Sequence, residues 1–133
     1  MSTIAYPSPK GLLNNPAFSQ VAVASGQRTI HVSGQVAIDE TGALVGGSDL
    51  AAQTTQVMRN LGLALAAAGA GFEHVVKITT YVVDYKPEMR AVIGKARGAF
   101  FEGRTPPAST LVGVSALAAP GWLIEIEAVA VTD

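Results

Sequence analysis

The stretch Leu123–Val131, with the sequence LIEIEAVAV, alternates between two sets of side chains. The set on one face is small or apolar and consists of Ile124, Ile126, Ala128 and Ala130. The opposite face carries Glu125 and Glu127. Successive side chains of a β-strand point to opposite faces, so this pattern predicts a strand with one face in a hydrophobic core.

Further strands are predicted upstream from β-branched runs and turn residues. Val21–Ala24 and Thr29–Val36 flank a turn that contains Gly26, an arrangement that predicts a β-hairpin. Val75–Val83 is rich in β-branched residues and predicts a strand. Thr110–Val114 predicts a short one.

Two segments between these strands show helical spacing instead. The first is capped by Ser48 or Asp49 and is stopped by Gly69 and Gly71. Its apolar side chains are Leu50, Val57, Met58, Leu61 and Leu65. The second opens at Pro87, and its apolar side chains are Met89, Ile93, Ala96 and Phe100. Gly62 inside the first helix costs about 1 kcal/mol relative to alanine, so we expect it to pack closely against a sheet.

The order of elements is hairpin, helix, strand, helix, strand, strand. Two amphipathic helices bury their apolar faces most economically on one face of a mixed, mainly antiparallel sheet, which predicts an α/β fold of the α+β type. The uncovered face would carry His31, Ser33, Glu125, Glu127, Leu123, Val129 and Val131. This mixture is too apolar for a face that only meets water, so it predicts contact with another subunit.

The composition indicates a single domain over residues 1–133. Hydrophobic residues make up 49%, and 9 basic and 10 acidic residues give a formal net charge of -1. No basic run is present, which argues against nucleic acid as a partner. The lack of cysteine excludes disulfides and thiolate chemistry, and His31 and His74 are too few to predict a metal site. We expect a cytoplasmic protein without a membrane partner, because neither a signal peptide nor a long apolar run is visible.

Glu125 and Glu127 are the first candidates for chemistry. Because they share a strand face, either carboxylate could reach a pocket opposite the helices and hold or activate a water. The plain alternative is that they mark the solvent face of an antiparallel strand. Periodicity alone favours this alternative.

Ser33, in the segment His31–Gln35 (HVSGQ), is the second candidate. His31 shares its predicted face, but i and i+2 side chains on a strand are about 7 Å apart, too far for a direct hydrogen bond. No Gly-x-Ser-x-Gly elbow surrounds the serine. We therefore reject a hydrolase triad and interpret Ser33 as a hydrogen-bond donor to a ligand, or as an ordinary strand serine. His31 and His74 are assigned structural roles.

Several local patterns together resemble segments of the reactive-intermediate-deaminase (Rid, or YjgF) family. They are Phe18–Val21 (FSQV), Val32–Gln35 (VSGQ), Val76–Val82 (VKITTYV), Pro106–Ser109 (PPAS) and Ile124–Ala128 (IEIEA). They occur in the family's order and spacing over nearly the whole chain. The resemblance implies a chorismate-mutase-like fold and a homotrimer with clefts between its subunits.

Active members of this family hydrolyse reactive imines and enamines of amino acids to 2-keto acids and ammonia, without a cofactor. In them an arginine after a proline-alanine pair holds the substrate carboxylate, and a glutamate of the last strand positions the attacking water. The resemblance therefore implies that Glu125 is catalytic. It also implies ligand contacts from Phe18, Ser33, Gly94, Ser109 and Leu111, of which only the serine at 33 keeps the family's residue type.

The missing arginine is the most consequential departure. Ser109 cannot replace a bidentate guanidinium-carboxylate pair, in which hydrogen bonds to charged groups are worth roughly 1.5–3 kcal/mol. Arg104 is near in sequence, but it precedes Pro106 and Pro107 and is not expected to reach the same point. We expect Ser109 to face Glu125 in the cleft with no guanidinium nearby. Hydrolysis of 2-iminobutyrate or 2-iminopropionate should then be absent or very slow, and the ligand less anionic.

Two functions of different classes fit this cleft. The first is a cofactor-free deaminase or related hydrolase acting on an imine, enamine or amide other than the usual 2-imino acids, with Glu125 as base. The second is a non-catalytic ligand-binding or regulatory trimer. A ribonuclease, an activity described for some family members, ranks third because neither an RNA-binding surface nor an acid/base pair is evident.

Overall fold

A four-stranded mixed sheet organises the chain, which a computed structural model describes over residues 1–133. The elements in chain order are β1 (Thr3–Ala5), β2 (Val23–Ser25), β3 (Arg28–Gln35), α1 (Leu50–Ala67), β4 (Val75–Val83), α2 (Met89–Gly98), β5 (Ala108–Val114) and β6 (Ile124–Thr132). Single 3-10 turns lie at Phe72–His74 and Ala99–Phe101. The strand order is β3-β6-β4-β5, with β4 and β5 parallel and the other pairs antiparallel. The predicted mixed, mainly antiparallel sheet is confirmed.

The two faces of β6 differ as its alternation predicts. Ile124, Ile126 and Ala130 are fully buried, whereas Glu127 is exposed and Glu125 is half-buried. Both helices cover the apolar face and supply Val57, Met58, Leu61, Leu65 and Ile93 to a single core. None of the helices is long and apolar enough to span a membrane.

The first helix has the predicted ends but a different internal contact. The Asp49 side chain caps α1 by accepting a hydrogen bond from Ala52 N at 3.1 Å, and Gly69 follows the helix with φ of +74°. Gly62 does not meet the sheet: a Cβ placed there would lie 3.2 Å from Cε2 of Phe72. The compensation for this glycine is therefore an aromatic ring from the turn after the helix.

The predicted hairpin between Val21–Ala24 and Thr29–Val36 is wrong. β2 pairs with β1 in a separate two-stranded sheet, and β3 pairs with β6. At the turn between them, a Cβ on Gly26 would lie 2.5 Å from the carbonyl oxygen of Thr132, so the chain passes tightly against the end of β6. A local turn pattern cannot reveal pairing with strands that are distant in sequence.

Two element boundaries shift in a way that matters for the site. α2 begins at Met89, after Pro87 and Glu88, and β5 begins at Ala108 rather than at Thr110. Position 109 is therefore part of a strand, where its neighbours fix the direction of its side chain.

Candidate functional site

Four of the predicted ligand-binding residues line one cavity. Its volume is about 820 Å³, and it lies beside α2, β5 and the segment that precedes β2. Phe18, Gly94, Ser109 and Leu111 all lie in its wall. The cavity is large enough for a small organic molecule.

A short bridge to β5 positions Phe18. Ser19 pairs with Ala108, its backbone N donates to Pro107 O at 3.1 Å, and its Oγ donates to Pro106 O at 2.6 Å. Pro106 and Pro107 have no backbone N–H to donate, so only the carbonyl groups of this rigid segment can form hydrogen bonds with Ser19. Phe18 is thereby held next to the start of β5.

Pairing with β4 sets the direction of the β5 side chains. Ser109 lies opposite Ile78, and Leu111 lies opposite Thr80. Ile78 and Thr80 are buried beneath the helices, and paired residues point to the same face of a sheet. Ser109 and Leu111 therefore face α2.

Glu125 lies on the opposite face of the sheet. It pairs with Tyr81, the neighbour of buried Thr80 on β4, and so shares the uncovered face with Tyr81 and Glu127. Within one chain, Ser109 and Glu125 do not face each other. The sequence expectation that they meet depends on a second copy of the chain.

A bulge in β3 accompanies Glu125 on the uncovered face. Val32 pairs with Ala128 and Gln35 pairs with Ile126, so β3 accommodates one extra residue in this interval, which contains Ser33 and Gly34. The side chain of Glu125 lies over Gly34, where an added Cβ would be 2.8 Å from Glu125 Cδ. Ser33 and Glu125 thus belong to one neighbourhood, separate from the cavity.

The two glutamates of β6 have different surroundings. Tyr81 donates a hydrogen bond from its hydroxyl to Glu127 Oε1 at 2.6 Å, and this bond raises the pKa of Tyr81. The carboxylate of Glu125 has no hydrogen-bond or ion-pair partner within the chain. Glu125 is therefore the glutamate that is free to accept a proton or hold a water.

Basic side chains that the sequence analysis missed surround the cavity. Arg90, Lys95 and Arg97 of α2 line it together with Ser109. A smaller cavity of about 150 Å³ shares Gly94, Arg97 and Ser109 with the first. The expectation that no guanidinium lies near Ser109 is therefore wrong. One signal was available, because Arg97 follows Gly94 by one helical turn and so lies on the same helix face.

Arg97 is held at its position by the sheet. Its Nη1 donates to Thr80 Oγ1 at 3.0 Å, and Thr80 is fully buried. Burial lowers the pKa of the Arg97 guanidinium, which nevertheless stays charged at neutral pH. Arg97 has no carboxylate partner within the chain.

Arg104 is occupied elsewhere. It lines the smaller cavity, but its Nη1 lies 2.8 Å from Glu73 Oε2 in an ion pair. His74, next to Glu73, accepts a hydrogen bond from Gly71 N at 3.0 Å through Nδ1, which confirms its structural role. His31 is exposed on the uncovered face.

The fold and the site together define a class: a two-layer α+β domain with a ligand-sized cavity at the rim of its sheet. The profile of the family described as Endoribonuclease L-PSP matches residues 12–132. The crystal structure of YyfB from Yersinia pestis, a conserved Rid-family protein of unknown function, superposes with a TM-score of 0.92 at 45% identity and covers 96% of this chain and 98% of that chain.

Curated relatives agree with this match. Protein DfrA of Myxococcus xanthus is 37% identical over 125 residues, which are 94% of this chain and 90% of the relative. The 2-iminobutanoate/2-iminopropanoate deaminase of Rattus norvegicus is 39% identical over 116 residues, 86% of this chain and 80% of the relative. The chain belongs to the Rid/YjgF/L-PSP family.

Proposed function

We propose that this protein is a cofactor-free hydrolase of a small imine or enamine, which works in a cleft completed by neighbouring subunits of a homotrimer. The observation that carries the proposal is the position of Glu125, whose unpartnered carboxylate lies over Gly34 beside the strand bulge. Relatives named 2-iminobutanoate/2-iminopropanoate deaminase support the reaction class.

The division of the candidates between the two faces of the sheet supports assembly from several copies. Ser33 and Glu125 lie on the uncovered face, while Ser109 and Leu111 line the cavity beside α2. The sheet itself separates the two groups in one chain, so a ligand can contact both only where two copies meet. Apolar residues on the uncovered face, such as Val112, which is 40% exposed, suit a contact between subunits.

In the proposed reaction, water adds to the carbon of the C=N bond while Glu125 accepts one of its protons. Glu125 passes this proton to the nitrogen, which gives a neutral carbinolamine. The hydroxyl proton of the carbinolamine then moves to the nitrogen, the C–N bond breaks as the carbonyl forms, and ammonia leaves. An imine and one water give a carbonyl compound and ammonia, with no change in oxidation state. The balance therefore requires neither a redox cofactor nor a co-substrate other than water.

A matched pair of variants tests the role of Glu125. Glu125→Gln and Glu127→Gln each remove one carboxylate from the same strand face, but only Glu127 is bound to Tyr81. Each imine of a panel is generated in the assay by an amino acid oxidase or a dehydratase. The rate of its hydrolysis is measured from the release of the carbonyl product and of ammonia. We expect Glu125→Gln to lower kcat/KM by about 100-fold or more and Glu127→Gln to keep most of the activity.

Two results would count against the proposal. Wild-type rates in Glu125→Gln would remove its catalytic role. Binding of a ligand without acceleration of any imine in the panel would favour the non-catalytic binding protein instead. Sedimentation equilibrium tests the assembly, and a monomer that hydrolyses imines at full rate would exclude the shared cleft.

A further inference from the structure

Arg97 carries a charge that nothing in the chain neutralises. Its guanidinium is half-buried against the sheet and its only hydrogen bond goes to the neutral hydroxyl of Thr80. Of the other arginines close to this region, Arg104 is paired with Glu73 at 2.8 Å, and Arg90 lines the larger cavity but is exposed to water. Withdrawing a cation from water without a counterion costs free energy, which a bound anion would recover.

The space in front of Arg97 is open. Gly94 lies one helical turn earlier, and a Cβ placed there would meet no atom within 4 Å. Ser109 of β5 lines the same two cavities as Arg97. A guanidinium has five N–H donors in a planar fork, and Thr80 occupies one of them. The remaining donors match the two oxygens of a carboxylate.

We propose that Arg97 is the anion anchor of this cleft: Thr80 orients its guanidinium, which binds the carboxylate of the ligand from α2, with the Ser109 hydroxyl as a second donor. This deepens the proposed function and rests on it for the location of the cleft. The ligand is then a small carboxylic acid, contrary to the less anionic ligand that Ser109 alone suggested. Imines that carry a carboxylate, including 2-imino acids, return as candidate substrates.

The binding test compares a carboxylate with its neutral analogue on the whole protein. Isothermal titration calorimetry measures the affinity for 2-oxobutanoate and for 2-oxobutanamide, which differ only in the charged group. Arg97→Gln removes the anchor, and Arg59→Gln, on the exposed side of α1, makes the same change away from the cavity. We expect Arg97→Gln to weaken binding of the carboxylate by about 10- to 100-fold, to leave the amide unchanged, and Arg59→Gln to change neither.

Thermal unfolding separates an anchor from a structural residue. If the Arg97 guanidinium has no counterion until a ligand binds, Arg97→Gln leaves the Tm of the unliganded protein unchanged or raises it, because an uncompensated charge is removed. Stabilisation by 2-oxobutanoate is then lost. Arg97→Lys keeps the charge without the fork and should recover part of the affinity.

Several outcomes would overturn the anchor. The first is that the wild type shows no saturable binding of 2-oxobutanoate, and the second is that Arg97→Gln binds it with unchanged affinity. The third is that Arg97→Gln has a lowered Tm and loses affinity equally for 2-oxobutanoate and for 2-oxobutanamide. A lowered Tm would mean that Arg97 is paired inside the assembly. Failure of the proposed function looks different: carboxylates would bind through Arg97 while no imine is hydrolysed. Hydrolysis of carboxylate-bearing imines at the wild-type rate by Arg97→Gln would refute the anchor alone.

Discussion

The side chain of Glu125 on β6 lies directly over Gly34 on β3, at the bulge where the two strands lose their simple register. A Cβ at position 34 would be 2.8 Å from Glu125 Cδ and 2.9 Å from its Cγ. Gly34 does not have a positive φ, so the glycine serves this close approach and not a left-handed backbone. Ser33 precedes it, which brings both candidates of the uncovered face to one place.

Gly34→Ala should displace the carboxylate of Glu125 without unfolding the protein. The clash involves the mobile end of a glutamate side chain, which can rotate away, rather than backbone atoms. A catalytic group displaced by about 1 Å can lose on the order of 100-fold in rate, so we expect kcat/KM to fall by about that factor while the Tm changes little. Gly98→Ala is the control for the Tm, because a Cβ there meets nothing within 4 Å. Full activity in Gly34→Ala would show that the position of Glu125 over Gly34 is not the catalytic one.

Exchanging the arginine between its two possible positions should restore binding of a carboxylate. Arg97→Gln removes one of the two α2 guanidinium groups that line the cavity, and Ser109→Arg adds one from β5 to the same cavity. We expect the double variant to bind 2-oxobutanoate more tightly than Arg97→Gln alone, as measured by calorimetry. Ser109→Arg alone places two cations together and should lower the Tm of the unliganded protein. A double variant no better than Arg97→Gln would mean that the two positions do not serve one ligand group.

The titration of Tyr81 should depend on Glu127. The hydrogen bond from Tyr81 to the Glu127 carboxylate raises the pKa of Tyr81 above its ordinary value of 10.0. Because the raised pKa favours the neutral phenol in the folded state, this stabilisation is complete below the ordinary pKa and is lost as the pH rises through the folded-state pKa.

Ultraviolet difference spectra of tyrosine ionisation measure this effect. Glu127→Gln should move the pKa of Tyr81 down toward its ordinary value, and Tyr81→Phe identifies its signal among those of Tyr6 and Tyr85. An unchanged Tyr81 titration in Glu127→Gln would show that the hydrogen bond does not persist in solution.

Gly62→Ala should destabilise the protein although alanine favours helices. The new Cβ would lie 3.2 Å from the ring of Phe72, and that ring is confined by Phe100 and Phe101, each with its centroid 5.5 Å away. Overpacking of about 1–3 kcal/mol should exceed the roughly 1 kcal/mol gained in helix propensity. We expect a net loss in the free energy of unfolding, measured by urea denaturation. Gly98→Ala has no such contact, so a loss in both variants would contradict this explanation.

Local patterns predicted much of the fold, because they report how each element meets the core. The alternation of Ile124, Glu125 and Ile126 correctly predicted which face of β6 is buried. The cap at Asp49 and the stop at Gly69 were equally readable, since both act within one helical turn. The predicted hairpin was wrong because a local turn pattern holds no information about distant strands that can pair instead. β2 pairs with β1 near the N-terminus, and β3 pairs with β6 near the C-terminus.

By itself, the sequence established the family resemblance, the α+β class and the candidate residues on the last two strands. Only the tertiary structure decided that Ser109 and Glu125 lie on opposite faces of one sheet, and that Arg97 of α2 shares a cavity with the serine. Periodicity determines the face that a side chain takes within its own element. Which elements become neighbours, and therefore which charge meets which pocket, depends on the register and packing of segments that are far apart in the chain.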